Sequence, residues 1–247
     1  MKKLTLILGI ALLVTLLSAP AWAAPYTIAD NYIGAAPTSA SYVGRDRIGN
    51  ANDFEIYGMN VTFGASTIQI EIHSTYFDDA SAGLYGTDFG DLFISDNGYH
   101  PASSDTSLDS AANGESWEYA VVMRPGTASI YTVNQDNILL SDDFFGNTPG
   151  VVYRSDQEVA YNAQQDDTAL ASGIAWSYGD DWLSITLPYL DQWRGVDTFG
   201  FHYAMTCGND VIEGAATAPV PEPASLLLLG AGLIGLAGVG RKRKIKR

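Results

Sequence analysis

Two short runs constrain this chain most. Apolar side chains fall at Tyr57, Met59, Val61 and Phe63, then at Ile68, Ile70 and Ile72, with Gly64-Ala65-Ser66 between them. A period of two puts each set on one face of an extended strand, whereas a helix would scatter it around the circumference. The pattern predicts a β-hairpin. Further strands are expected at Leu92 to Ser95, Trp117 to Arg124, Ala128 to Val133, Ile138 to Ser141, Val151 to Arg154, Glu158 to Tyr161, Ile174 to Tyr178, Trp182 to Leu187 and Thr198 to Thr206. No stretch of residues 24–217 sustains a 3.6-residue apolar period, and no long repeat is evident. The expected fold is all-β, an antiparallel two-sheet sandwich of jelly-roll or lectin-like type, with a closed barrel as the alternative. The segments 78–91 and 97–116 are long connections for such a domain.

The two ends are of another kind. Lys2 and Lys3 precede an uncharged, Leu-rich stretch from Leu4 to Leu17, followed by Ala21-Trp22-Ala23. These are the three parts of a secretory signal peptide, residues 1–23, with small residues Ala21 and Ala23 at the cleavage site. At 14 residues the apolar stretch falls short of the roughly 20 that a spanning helix needs. The far end, residues 218–247, runs in the opposite order: Val220-Pro221-Glu222-Pro223, an apolar helix-forming stretch at 224–240, then Arg241, Lys242, Arg243, Lys244, Lys246 and Arg247. The prolines stop any element from running into the tail. The basic end is expected to stay in the cytoplasm, with the preceding domain on the far side of the membrane.

Pro221-Glu222-Pro223, the Leu- and Gly-rich stretch and the terminal Arg/Lys cluster together resemble the PEP-CTERM sorting signal of exported Gram-negative bacterial proteins. The resemblance implies two processing partners, a signal peptidase and an exosortase-type enzyme. It also implies an inner-membrane-anchored precursor held by its C-terminal helix, then release or re-anchoring at the cell surface or in the extracellular matrix of biofilm-forming cells. The alternative is a permanent single-pass anchor. Gly90-Asp91-Leu92-Phe93-Ile94-Ser95 and the segment 207–214 are loosely similar to uncharacterised domains found in front of such tails, which carry no activity across.

Between the ends, residues 24–217 hold 27 acidic residues against five arginines and no lysine, a formal net charge of −22. Nucleic acid and anionic lipid are poor partners for such a surface. Solvation of an exported surface explains the acidity, and divalent cation binding is the competing account, since Ca²⁺ selects hard oxygen ligands. Acidic groups at strand ends make Glu55, Asp88, Asp91 and Asp210 the candidate Ca²⁺ ligands. Against this, Asp and Asn also begin turns without any metal, and no twelve-residue calcium loop is present. No cofactor is required by any motif.

The catalytic constellations are weak. Glu115 and Glu118 flank Trp117, but odd spacing sends them to opposite faces of a strand. Cys207 is the single cysteine, so no intramolecular disulfide forms, and its spacing from His202 does not make a nucleophile pair. The expectation is a non-catalytic domain, with a polysaccharide-active enzyme on the same fold as the rival. Exopolysaccharide is a candidate partner through stacking on Trp182 and Trp193, which sit beside predicted turns.

Overall fold

A computed structural model describes residues 24–78, 83, 86–101, 110–219 and 230. The signal segment with Ala21 and Ala23, the sorting motif Val220 to Pro223, the 224–240 stretch apart from Gly230, and the basic end lie outside the described residues. Among the described residues no helix is long and apolar enough to cross a membrane.

Thirteen strands form two large antiparallel sheets and a two-stranded ribbon among these residues. In spatial order the first sheet holds β1 (Tyr26–Ala29), β2 (Ile56–Phe63), β3 (Thr67–Ser74), β11 (Trp182–Pro188) and β10 (Trp176–Gly179). The second holds β13 (Val211–Thr217), β12 (Thr198–Ala204), β4 (Leu92–Ser95), β5 (Tyr119–Arg124), β6 (Thr127–Thr132) and β9 (Ala171–Ile174). The ribbon pairs β7 (Ile138–Leu140) with β8 (Glu158–Tyr161). Among the described residues two short α-helices lie between strands, α1 (Ala51–Phe54), whose Asn50 cap accepts from the Asn52 N–H at 3.2 Å, and α2 (Ser141–Phe145).

The expected hairpin is present. Gly64 N–H donates to Thr67 O at 2.8 Å and closes the turn, and Val61 lies opposite Ile70. Val61, Ile70 and Ile185 from the first sheet share one buried apolar cluster with Val121, Phe201 and Ile212 from the second. Each such side chain removed from water stabilises the fold by about 1.5–3 kcal/mol, so the facing apolar surfaces hold the two sheets together. Tyr57 does not lie on the expected buried face. The register shifts between Ile56 and Gly58, and this bulge turns Tyr57 outward, 59% exposed, while Ile56 is wholly buried. An extra residue in one strand of a pair inverts the facing of what precedes it.

The expected strand at 174–178 is two strands. Ile174 ends β9 in the second sheet, and Trp176 begins β10 in the first. Residues 151–154 form no strand and make only an isolated bridge between Pro37 and Arg154. Two strands were not expected at all, β1 and β13. Gly214 explains their company: a Cβ there would lie 2.8 Å from Ile28 Cγ2, so only glycine lets β1 pack so closely against β13.

Candidate functional site

The first sheet ends β1 at Ala29, and Asp30 follows it directly. Asp46 lies in the loop before α1, and that loop is pinned to the β12–β13 connection by Ile48 N–H donating to Asn209 O at 2.7 Å. Asp210 stands at the start of β13, where its carboxylate accepts from Ile56 N–H at 2.7 Å and Val211 N–H at 3.0 Å. Three distant pieces of chain thus bring Asp30, Asp46 and Asp210 together, with one carboxylate oxygen from each lying within 4.8 Å of the others. It is the one grouping of its kind among the described residues.

Arg154 lies against this cluster and is itself wholly buried. Its guanidinium donates to Ala35 O at 3.1 Å, to Arg45 O at 2.9 Å and to Asp46 O. The backbone therefore takes its hydrogen bonds, and the three carboxylates offset its charge only through space. Oδ1 of Asp30, Oδ1 of Asp46 and Oδ1 of Asn209 are buried without a hydrogen-bond partner. Burial raises the pKa of Asp30, and the neighbouring Asp46 and Glu55 raise it further. Asp210 is raised by burial and by Asp30, and Asp46 by burial and by Glu55. Carboxylates crowded together out of water resist ionisation unless a positive charge joins them. With all three ionised beside Arg154, the local charge is −2, the charge that one divalent cation neutralises.

The four candidate ligands read from the sequence do not converge. Asp210 belongs to the cluster. Glu55 is paired with Arg47 at 2.6 Å and adds its charge from the side. Asp91 is buried and structural, since one oxygen accepts Met123 N–H at 2.8 Å and the other Tyr161 N–H at 2.9 Å, tying β5 to β8. Its pKa is pushed up to about 6 by burial, against the pull of those two N–H groups. Asp88 is exposed, and its Oδ1 accepts from the following Phe89 N–H at 2.8 Å. Asp30 and Asp46 had no local signature in the sequence; the Gly44 to Gly49 loop, with Arg45 and Arg47 around Asp46, was the only available pointer.

Trp193 is corrected as a sugar platform. It is wholly buried, edge-on to Tyr119, Tyr189 and Phe199 at 5.3–6.1 Å, and has no free face. Trp182 is half-buried, lying against Gly179, where a Cβ would sit 2.7 Å from its Nε1. The more open aromatic surface lies on the neighbouring strand. Trp176 and Tyr178 on β10 stack at 5.8 Å and 27°, with Phe89 packed 5.7 and 4.9 Å from them. They line a cleft of about 640 Å³.

Among the remaining polar candidates, Glu115, Glu118 and His202 each hold at least one hydrogen-bond partner. Glu115 accepts from His100 N–H, and Glu118 accepts from Asn97 Nδ2 at 2.7 Å. His202 is wholly buried, with Nδ1 2.7 Å from Glu213 and Nε2 2.8 Å from Glu158 O. Burial opposes its protonation, but the Glu213 hydrogen bond and charge outweigh that and raise its pKa. Burial pushes the Cys207 thiol up to about 12, which keeps it protonated and a poor nucleophile.

The tail supplies the class to which the chain can be assigned. Its order of processing site, apolar stretch and basic end is that of exported proteins sorted by their C-terminus. Residues 219–244 match the PEP-CTERM protein-sorting motif. This is the recognition signal for exosortase-type processing, and it marks the chain as an exported protein of a Gram-negative bacterium carrying a C-terminal sorting signal. The match covers the tail and leaves the β-rich domain outside it. No curated protein and no solved structure matches the chain.

Proposed function

We propose that this is an exported surface protein, processed at both ends, whose two sheets pack as a sandwich and form a non-catalytic domain that binds Ca²⁺ at Asp30, Asp46 and Asp210. One observation carries the reading: three carboxylates from separate segments meet around buried, unpaired oxygens with a local charge of −2. Ca²⁺ takes about six to eight oxygens and accepts carboxylates, side-chain amides and water together. The buried Asn209 Oδ1, next in sequence to Asp210, is an amide oxygen of the required kind. Outside the cell such an ion would serve where a chain with a single cysteine has no disulfide to brace it.

A ligand bound only by the native state raises stability, by about 2.7 kcal/mol at a hundredfold excess over Kd. Thermal unfolding of the mature protein purified after export should therefore rise by several degrees in millimolar Ca²⁺ and fall back with chelator. Asp46→Asn should remove most of that response while leaving a folded protein. An identical melting temperature with and without Ca²⁺ sinks the cation reading.

The tail has its own test. Replacing Pro221, Glu222 and Pro223 by alanine should leave a membrane-held precursor that retains its C-terminal basic residues, seen as a larger intact mass than the mature protein. A mature wild-type mass that still includes residues 224–247 would instead favour a permanent anchor.

A further inference from the structure

We infer that the cleft beside β10 is a binding site for a neutral saccharide. Its wall is aromatic and rigid. Trp176 Nε1 donates to Arg124 O at 2.7 Å and Thr127 O at 3.0 Å, so the indole is held by the β5–β6 turn with its polar edge already satisfied. Tyr178, 41% exposed, extends that wall into solvent, and Phe89 backs both rings. Flat, fixed rings present an apolar face of the size of a sugar ring's C–H face, and a pyranose gives up little freedom in stacking there.

The polar groups around the cleft decide its ligand. Asp88 brings a carboxylate, Asn162 an amide and Arg124 a guanidinium, so both acceptors and donors accompany an apolar wall. Hydroxyl groups are both donor and acceptor and suit such a mixed rim, whereas an aliphatic chain would leave it unpaired. The volume of about 640 Å³ lies within the range of ordinary small-ligand sites, roughly 300–1,000 Å³. Charge narrows the class further. Arg124 is the only base in the lining, it already lies 3.4 Å from Asp91, and the surrounding domain is strongly acidic. Uronate or sulfate groups would be repelled, so the saccharide is uncharged.

The site is independent of the carboxylate cluster, and its test does not depend on Ca²⁺. The mature exported protein should be applied to an array holding neutral hexose and N-acetylhexosamine oligosaccharides alongside uronate and sulfated ones, followed by calorimetric titration of the best binder. Binding confined to neutral glycans is expected. Tyr178→Ala should weaken it by about tenfold, whereas Tyr57→Ala, a tyrosine more open to solvent but on β2, should leave it unchanged. Unaltered melting of both variants separates loss of contact from loss of fold. Binding to no neutral glycan at millimolar concentration, binding only to anionic glycans, or Tyr178→Ala binding as well as wild type would each overturn the assignment.

Discussion

Gly90→Ala is expected to prevent the domain from folding. A Cβ at this position would lie 1.8 Å from Ala204 O and 2.6 Å from Val159 O. Both obstacles are backbone, one at the end of β12 and one in β8, so neither can rotate aside as a side chain would. The approach is close because the chain leading into β4 threads between the ribbon and the second sheet, and Asp91 N–H bonds to Val159 O at 2.9 Å. Relief requires moving β8, which would break the Asp91 bond to Tyr161 as well, or β12, which is paired with β4. A cost beyond about 5 kcal/mol follows, against a total stability of about 5–15 kcal/mol. Soluble yield and urea unfolding of the exported protein measure it. Gly126→Ala is the contrast: the turn there is open, with nothing within 4 Å, and only its φ of +75° disfavours alanine, at about 1 kcal/mol. Equal stability of the two variants would contradict the packing described.

Arg154→Met should be nearly as damaging for a different reason. Removing the guanidinium leaves the carbonyls of Ala35, Arg45 and Asp46 without its N–H groups and strips the three carboxylates of their compensating charge. Breaking a buried charge arrangement from one side costs about 3–5 kcal/mol. Arg154→Lys should recover little, because a single ammonium cannot reach three separate carbonyls in the plane of a guanidinium. The cost should also depend on cation. With Arg154 gone the cluster carries −3, so added Ca²⁺ should raise the melting temperature of Arg154→Met by more than it raises that of wild type. Chemical denaturation with and without Ca²⁺ measures both effects.

The strands that alternate cleanly were legible in the sequence, and the reason is visible in Ile68, Ile70 and Ile72, each wholly or almost wholly buried on one face. Pattern failed where tertiary packing replaced it. β13 carries Gly214, Ala215 and Ala216 because β1 lies close against it, and small residues leave no hydrophobic period to read. The run from Ile174 to Trp176 alternates like one strand although it hands the chain from one sheet to the other; alternation is local, and the identity of the neighbouring strand is not. The Ile56–Gly58 bulge likewise depends on what β3 offers opposite.

The candidate cation cluster was half legible for the same reason. Asp210 stood out beside Asn209 just after the last expected strand, whereas Asp30 and Asp46 resemble any turn-forming aspartate until the β1, 44–49 and β13 segments are brought together. Asp91 was a candidate as an acidic group at a strand end, and the structure gives it a capping role between β5 and β8. The tail needed no tertiary context, because its signal is carried by order along the chain and matched from 219 to 244.

The cation claim is tested most directly by counting ions. Equilibrium dialysis of the mature exported protein against radiolabelled Ca²⁺ should give one ion bound per chain, lost in Asp46→Asn and retained in Asp88→Asn, whose carboxylate stands apart from the cluster. Binding of no ion, or one ion bound equally by wild type and Asp46→Asn, would contradict the account.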